Sequence, residues 1–210
     1  MDFLLNGDEP SRTTILLAHG SGAPMDTPWM NNVAEKLAEE GFRVARFEFS
    51  YMAARRTSAS KRPPAKAETY VPEFLAAIEA LYSDGPLIIG GKSMGGRVAS
   101  LIAQDLFDAG GITGLLCLGF PFHPPKKLDN RRGENLADIT CPTLICQGTR
   151  DPLGTREEVE TYTLSKTVTL HWLEDGDHDL KPRKRVTGKS LEDHLQALAS
   201  QTKAWASSCV

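Results

Sequence analysis

Cysteine is scarce in this sequence and shows no metal-binding spacing. The 210 residues hold four cysteines, at 117, 141, 146 and 209, with no Cys-x-x-Cys pair. A structural zinc site is therefore not expected, and the count suits a reducing compartment. Cys117 and Cys146 lie inside apolar runs, where a cysteine usually serves as a small buried hydrophobe. No run approaches the ~18 apolar residues that a spanning helix needs. The amino terminus, Met1-Asp2-Phe3-Leu4-Leu5, lacks a basic region and a long apolar segment. A cytoplasmic protein with no membrane partner is the expectation. There is no excess of one charge either. The formal net charge is −3, which gives no case for nucleic-acid binding. No internal repeat and no compositional boundary divides the chain, so residues 1–210 read as a single domain.

What is present is a regular alternation of strand and helix patterns. Phe3-Leu4-Leu5 reads as a short edge strand. Thr13–Ala18, Leu115–Leu118 and Pro142–Gln147 are nearly continuous apolar runs, as in strands of a parallel sheet covered on both faces. Phe42–Phe49 and Thr167–Leu173 alternate as strands. Helical spacing marks Trp29–Glu40, Glu68–Tyr82, Met94–Asp108 and Leu191–Trp205, and Thr155–Tyr162 reads as a short helix. In the second of these, Phe74, Leu75, Ile78 and Leu81 are expected to face inward. Ser50–Ala67 is the irregular stretch: five basic residues, two prolines and no acid until Glu68. It reads as a loop or small lid with a short helical piece. The alternation predicts a single-domain α/β architecture, with a mostly parallel central sheet and helices on both faces.

The chain is organised around Pro86-Leu87-Ile88-Ile89-Gly90-Gly91-Lys92-Ser93-Met94-Gly95-Gly96-Arg97, an apolar strand meeting Gly-x-Ser-x-Gly and then a helical pattern. This is the form of a nucleophile elbow, a sharp strand-to-helix turn that exposes a serine hydroxyl. Gly91 and Gly95 flank the serine because the turn crowds neighbouring backbone. Gly91-Lys92-Ser93 also mimics a phosphate loop. That motif needs a further glycine where Pro86 stands, and the intervening Leu87-Ile88-Ile89 is strand-like. A serine needs an adjacent base, and the base needs a group to fix its tautomer. In elbow proteins these follow in the order serine, acid, histidine. Asp151 lies just past the strand ending at Gln147, and His178 just past the strand ending at Leu173. Both loops are predicted at the carboxyl edge of the sheet. The oxyanion hole is expected to combine the Met94 amide with an amide of Ser21 or Gly22, from the loop His19-Gly20-Ser21-Gly22.

Together, His19-Gly20-Ser21-Gly22-Ala23, Gly91-Lys92-Ser93-Met94-Gly95-Gly96, Gly148-Thr149-Arg150-Asp151 and Gly176-Asp177-His178 resemble the α/β-hydrolase superfamily. The length and the Pro121-Phe122-His123-Pro124-Pro125 stretch resemble its small, nearly capless dienelactone-hydrolase-like branch, including the testis-expressed protein 30 type. The resemblance implies the α/β-hydrolase fold with a minimal cap, and the triad Ser93–Asp151–His178. Dienelactone hydrolases proper use a cysteine nucleophile where this chain has serine, which argues against the lactonase reaction itself.

The function predicted is that of a carboxylesterase-like serine hydrolase, cleaving an ester, thioester or similar acyl bond of a small molecule without metal or cofactor. The alternative is a non-catalytic interaction module on the same fold. His123, at a strand end beside prolines, and Lys92, next to the nucleophile, are candidates for substrate contact. His19 is another candidate, though it reads first as a loop-shaping hydrogen-bond partner. His171 falls inside a strand and reads as structural, and His194 in the closing helix reads as solvated. Thirteen of the 24 Lys and Arg fall in three segments past strand ends: 50–67, 126–132 and 181–185. A basic rim favouring anionic substrates follows as a hypothesis.

Overall fold

The fold described here is a computed structural model, covering residues 1–7, 12–57 and 63–209. Seven strands form one sheet: β1 Leu4–Asn6, β2 Thr14–Ala18, β3 Arg43–Phe47, β4 Leu87–Lys92, β5 Gly114–Leu118, β6 Thr143–Gly148 and β7 Val168–Leu173. Their order across the sheet is β1-β3-β2-β4-β5-β6-β7. Only β1 is antiparallel, pairing Leu5 with Ala45 of β3. Every residue of β2 is buried, as a strand covered on both faces requires.

The helices are α1 Pro28–Glu39, α2 Ser50–Thr57, α3 Val71–Ala80, α4 Met94–Ser100, α5 Ala103–Asp108, α6 Arg156–Val159, α7 Lys184–Thr187 and α8 Leu191–Ala206. Side-chain alternation along the strands sorts the core into two layers. Ile15 and Leu17 point to the face where Val33 and Leu37 of α1 meet Leu195 and Leu198 of α8. Leu16 and Ala18 point to the other face, against Phe74 of α3 and Val98 of α4. Local chemistry sets the helix starts. Thr27 accepts a hydrogen bond from the Met30 amide ahead of Pro28, and Ser190 with Asp193 forms a capping box.

Four expectations need refinement or correction. The short helical piece expected within Ser50–Ala67 is α2, Ser50–Thr57; its start is fixed by Glu73, which accepts from the Ser50 amide and hydroxyl. Residues 58–62 of that stretch lie outside the described residues. The helix expected over 94–108 breaks between α4 and α5. The Ser100 hydroxyl donates back to the Arg97 carbonyl, and the Asn135 side chain takes the Ser100 carbonyl. The amides of Leu101 and Ile102 turn to i−3 acceptors, and the axis bends. His194 is buried, 1% exposed, with Nδ1 on the Leu180 carbonyl at 2.7 Å. Leu75 of α3, expected inward, is exposed; Phe74 and Ala77 carry the buried face.

The strand order places the site. From β2 the chain runs outward to β3, then returns across β2 to β4. The helices that follow β2 and β4 lie on opposite faces, so the loops leaving these neighbours diverge and open a crevice at their carboxyl ends. Register sets Ala18 opposite Gly91, which brings the loop 19–22 beside Ser93.

Candidate active site

Ser93 occupies the turn between β4 and α4 with φ 52° and ψ −113°, a conformation that L residues rarely hold. Its amide is anchored on the Leu118 carbonyl at 2.9 Å. The crowding expected at the flanking glycines is present. A Cβ on Gly91 would stand 2.4 Å from the Ala18 carbonyl oxygen, and one on Gly95 2.5 Å from the same atom. No side chain fits at either position.

The structure brings Ser93, His178 and Asp151 together. Ser93 Oγ lies 2.9 Å from His178 Nε2, and His178 Nδ1 lies 2.8 Å from Asp151 Oδ2. A carboxylate only accepts, so Nδ1 carries the proton and Nε2 is left to accept from the Ser93 hydroxyl. Asp151 is fully buried, and its oxygens are satisfied by Gln147 Nε2 at 3.0 Å and the Leu153 amide at 2.8 Å. Gln147 also bonds both polar groups of the Phe120 backbone, so it ties the acid loop to the end of β5. It was not among the residues singled out from sequence. Its signal was there: an amide closing the otherwise apolar run Leu144-Ile145-Cys146.

The loop after β2 is shaped from outside. His19 Nδ1 donates to the Gly20 carbonyl at 2.7 Å, and Nε2 accepts from the Phe49 amide at 3.2 Å. The Tyr51 hydroxyl of α2 donates to the Ser21 carbonyl at 3.2 Å. In a trans peptide the N–H points opposite to the preceding carbonyl. The amides of Ser21 and Gly22 therefore face away from His19 and Tyr51. Met94 is the first residue of α4, so its N–H has no intrahelical acceptor. Desolvation lowers the pKa of His19 and favours the neutral ring that these bonds require.

Two cavities meet at Ser93 and Ser21. The first, about 430 Å³, is lined by Gly22, Trp29, Lys92, His178 and Asp179 among others. The second, about 470 Å³, is lined by Met94, Lys66, Arg97, Arg132 and several prolines. Lys92 borders the first. Its ammonium donates to the His178 carbonyl, lies 3.4 Å from Asp179, and sits over the Trp29 ring. Burial lowers its pKa, with Asp179 and Asp151 opposing.

The other two contact candidates are not brought there. His19 is fully buried behind its loop and lines neither cavity. His123 is 2% exposed, with Nε2 3.3 Å from Glu158 and Nδ1 on the Pro124 carbonyl, and it lines a separate depression. Glu158 lies 35 positions away, so no local pattern reported this pairing. Much of the expected basic rim is also consumed locally. Arg56 pairs with Asp26 and Glu48, and Arg183 with Asp175, whose pKa its guanidinium pulls down to about 2. Burial raises the thiol pKa at Cys117, Cys141 and Cys146, so none offers a ready thiolate. Among the described residues no group of three or more His, Cys, Asp or Glu could hold a metal ion, and no helix is long and apolar enough to cross a membrane.

A mostly parallel sheet with a serine elbow after its fourth strand, and His and Asp in relay behind it, defines the α/β-hydrolase architecture. The sequence profile of the alpha/beta hydrolase domain family matches residues 11–207, and the chain belongs to that family. Est1E from Butyrivibrio proteoclasticus, in a structure with bound ferulic acid, is similar with TM-score 0.70 at 14% identity, over 98% of this chain and 95% of that one. An α/β serine hydrolase without lid from Xanthomonas campestris gives 0.69 at 20% identity, over 97% and 88%. Dienelactone hydrolase from Anabaena variabilis gives 0.66 at 18% identity, over 97% and 89%. At such identities the likeness is one of fold.

Proposed function

We propose that this protein is a carboxylesterase-like serine hydrolase that cleaves an ester, thioester or similar acyl bond through an acyl-enzyme on Ser93. The observation that carries the reading is the continuous relay Ser93 Oγ–His178 Nε2 at 2.9 Å and His178 Nδ1–Asp151 Oδ2 at 2.8 Å. His178 takes the Ser93 proton as Oγ attacks the carbonyl carbon, and Asp151 holds the resulting imidazolium. The Met94 amide and a Ser21 or Gly22 amide receive the developing oxyanion; a donor of this kind contributes ~3 kcal/mol of barrier lowering. The tetrahedral adduct collapses, and His178 gives its proton to the leaving oxygen or sulfur. Water then enters, His178 removes its proton, and the acyl group leaves as the acid. The backbone strain at Ser93 supports this over a non-catalytic interaction module, which has no need of a serine held at positive φ. The substrate is a small acyl compound. Cytoplasmic placement is part of the proposal and is supported by the four free cysteines.

Labelling with a fluorophosphonate probe tests the reading. The wild-type protein is expected to label and Ser93→Ala to stay blank. A folded wild type that does not label removes the enzyme reading.

A further inference from the structure

The two cavities at Ser93 differ in charge. Among the described residues no acidic side chain lines the second one, while Lys66, Arg97 and Arg132 all do. Arg97 gives one nitrogen to Glu68 at 2.7 Å, and the Glu68 side chain is 55% exposed. Neither the Arg132 guanidinium nor the Lys66 ammonium has a hydrogen-bond or ion-pair partner among the described residues. Arg132 is partly buried, and its pKa is lowered first by desolvation and then by repulsion from Arg97, with attraction to the half-exposed Glu68 opposing. Its backbone is fixed, since its amide donates to the Phe122 carbonyl at 2.7 Å. Like charges gathered over an apolar wall, here supplied by Pro63, Pro121 and Pro125, are relieved by an anion. A guanidinium fork with no hydrogen-bonded partner among the described residues suits a carboxylate in particular.

Chemistry decides which end of the substrate lies here. His178 lines the first cavity and not the second. The proton it carries must reach the leaving atom, so the leaving group occupies the first cavity and the acyl chain extends into the second. We infer that the cavity of Lys66, Arg97 and Arg132 binds a carboxylate at the far end of the acyl group, so that the preferred substrates are half-esters or half-thioesters of dicarboxylic acids. This rests on the serine-hydrolase reading above and narrows its substrate class.

The test compares p-nitrophenyl hydrogen adipate with p-nitrophenyl hexanoate, which matches its chain length without the terminal carboxylate. Wild type is expected to favour the adipate ester at least tenfold in kcat/KM. Arg132→Gln combined with Lys66→Gln should cut that preference at least tenfold, with Arg132→Lys retaining part of it. No preference in the wild type, or a preference unchanged by these variants, overturns the inference. Lys66 is exposed, so Lys66→Gln alone gives a folded variant in which the preference should still fall. A second readout is independent of turnover: calorimetric binding of monomethyl adipate to Ser93→Ala, weakened at least tenfold by Arg132→Gln. If neither ester is cleaved, the hydrolase reading fails, and the calorimetry still decides the anion site. Absence of binding there overturns the site.

Discussion

Ser93 is held where an L side chain is strained, and the strain is local to one residue. With φ at 52°, a Cβ costs on the order of 1–3 kcal/mol that a glycine would not. Ser93→Gly is therefore expected to be more stable than Ser93→Ala by about 1–2 kcal/mol, although both lack the hydroxyl. Urea denaturation of the two variants measures the difference, and equal midpoints would mean the turn is relaxed. At this scale much of the site was legible in sequence. Ser93, Asp151 and His178 each stand just past an apolar run, and strand ends in a parallel sheet share one edge. His19, His123 and His194 were harder to place. Whether each touches solvent depends on partners distant or invisible in sequence: the Phe49 amide, Glu158 and the Leu180 carbonyl. No spacing rule reports those.

Between elements, the loop that carries His178 is braced from β4. Lys92 ends that strand and holds the His178 carbonyl, with Asp179 of the same loop beside it. Removing one partner of a buried pair costs stability when it strands a buried charge, but Asp179 is 70% exposed, so loss of the Lys92 cation strands none and removes its desolvation penalty. Lys92→Met should thus keep the urea midpoint near wild type while kcat falls roughly 10–100-fold, as misplacement of the base by a fraction of an ångström predicts. A lost midpoint with unchanged kcat would make Lys92 merely structural. Element boundaries show the same division as single residues. β2, β4 and β6 were plain from apolar runs, and α1 from its spacing and cap. The α4–α5 break and the bounds of the helix at Ser50 were not, since Asn135 and Glu73 fix them through bonds spanning 35 and 23 positions.

For the whole molecule, two desolvated histidines tie stability to pH. Desolvation lowers the pKa of His19 and of His171 below 6.5, so the unfolded chain binds these protons first. Their contribution is intact above pH 6.5. It falls as pH drops below that value and is lost once pH is under the folded pKa. The urea midpoint should decline from pH 7 to pH 5, and His171→Gln should flatten the slope. A slope that His171→Gln leaves unaltered would place the acid sensitivity elsewhere. The mostly parallel α/β architecture itself was legible, because strands covered on both faces leave long apolar runs in the chain. The charge layout was not. Thirteen clustered cations suggested a continuous basic rim. Folding sets Glu48 on Arg56 and Asp175 on Arg183, each eight positions away in the chain, and those pairs break the rim.

His178 keeps 26% of its side chain open to solvent while its partner Asp151 keeps none. The relay is sealed at its rear and open at its front, and if the chain is the hydrolase proposed above, that geometry sets the rhythm of its turnover. On the proposed mechanism, an acid released from Ser93 faces water through that open side. The slow event should be bond making and breaking, with diffusion out of the groove comparatively fast. Raising microviscosity with sucrose should then leave kcat for small esters unchanged, whereas a proportional fall would show that departure is the clock.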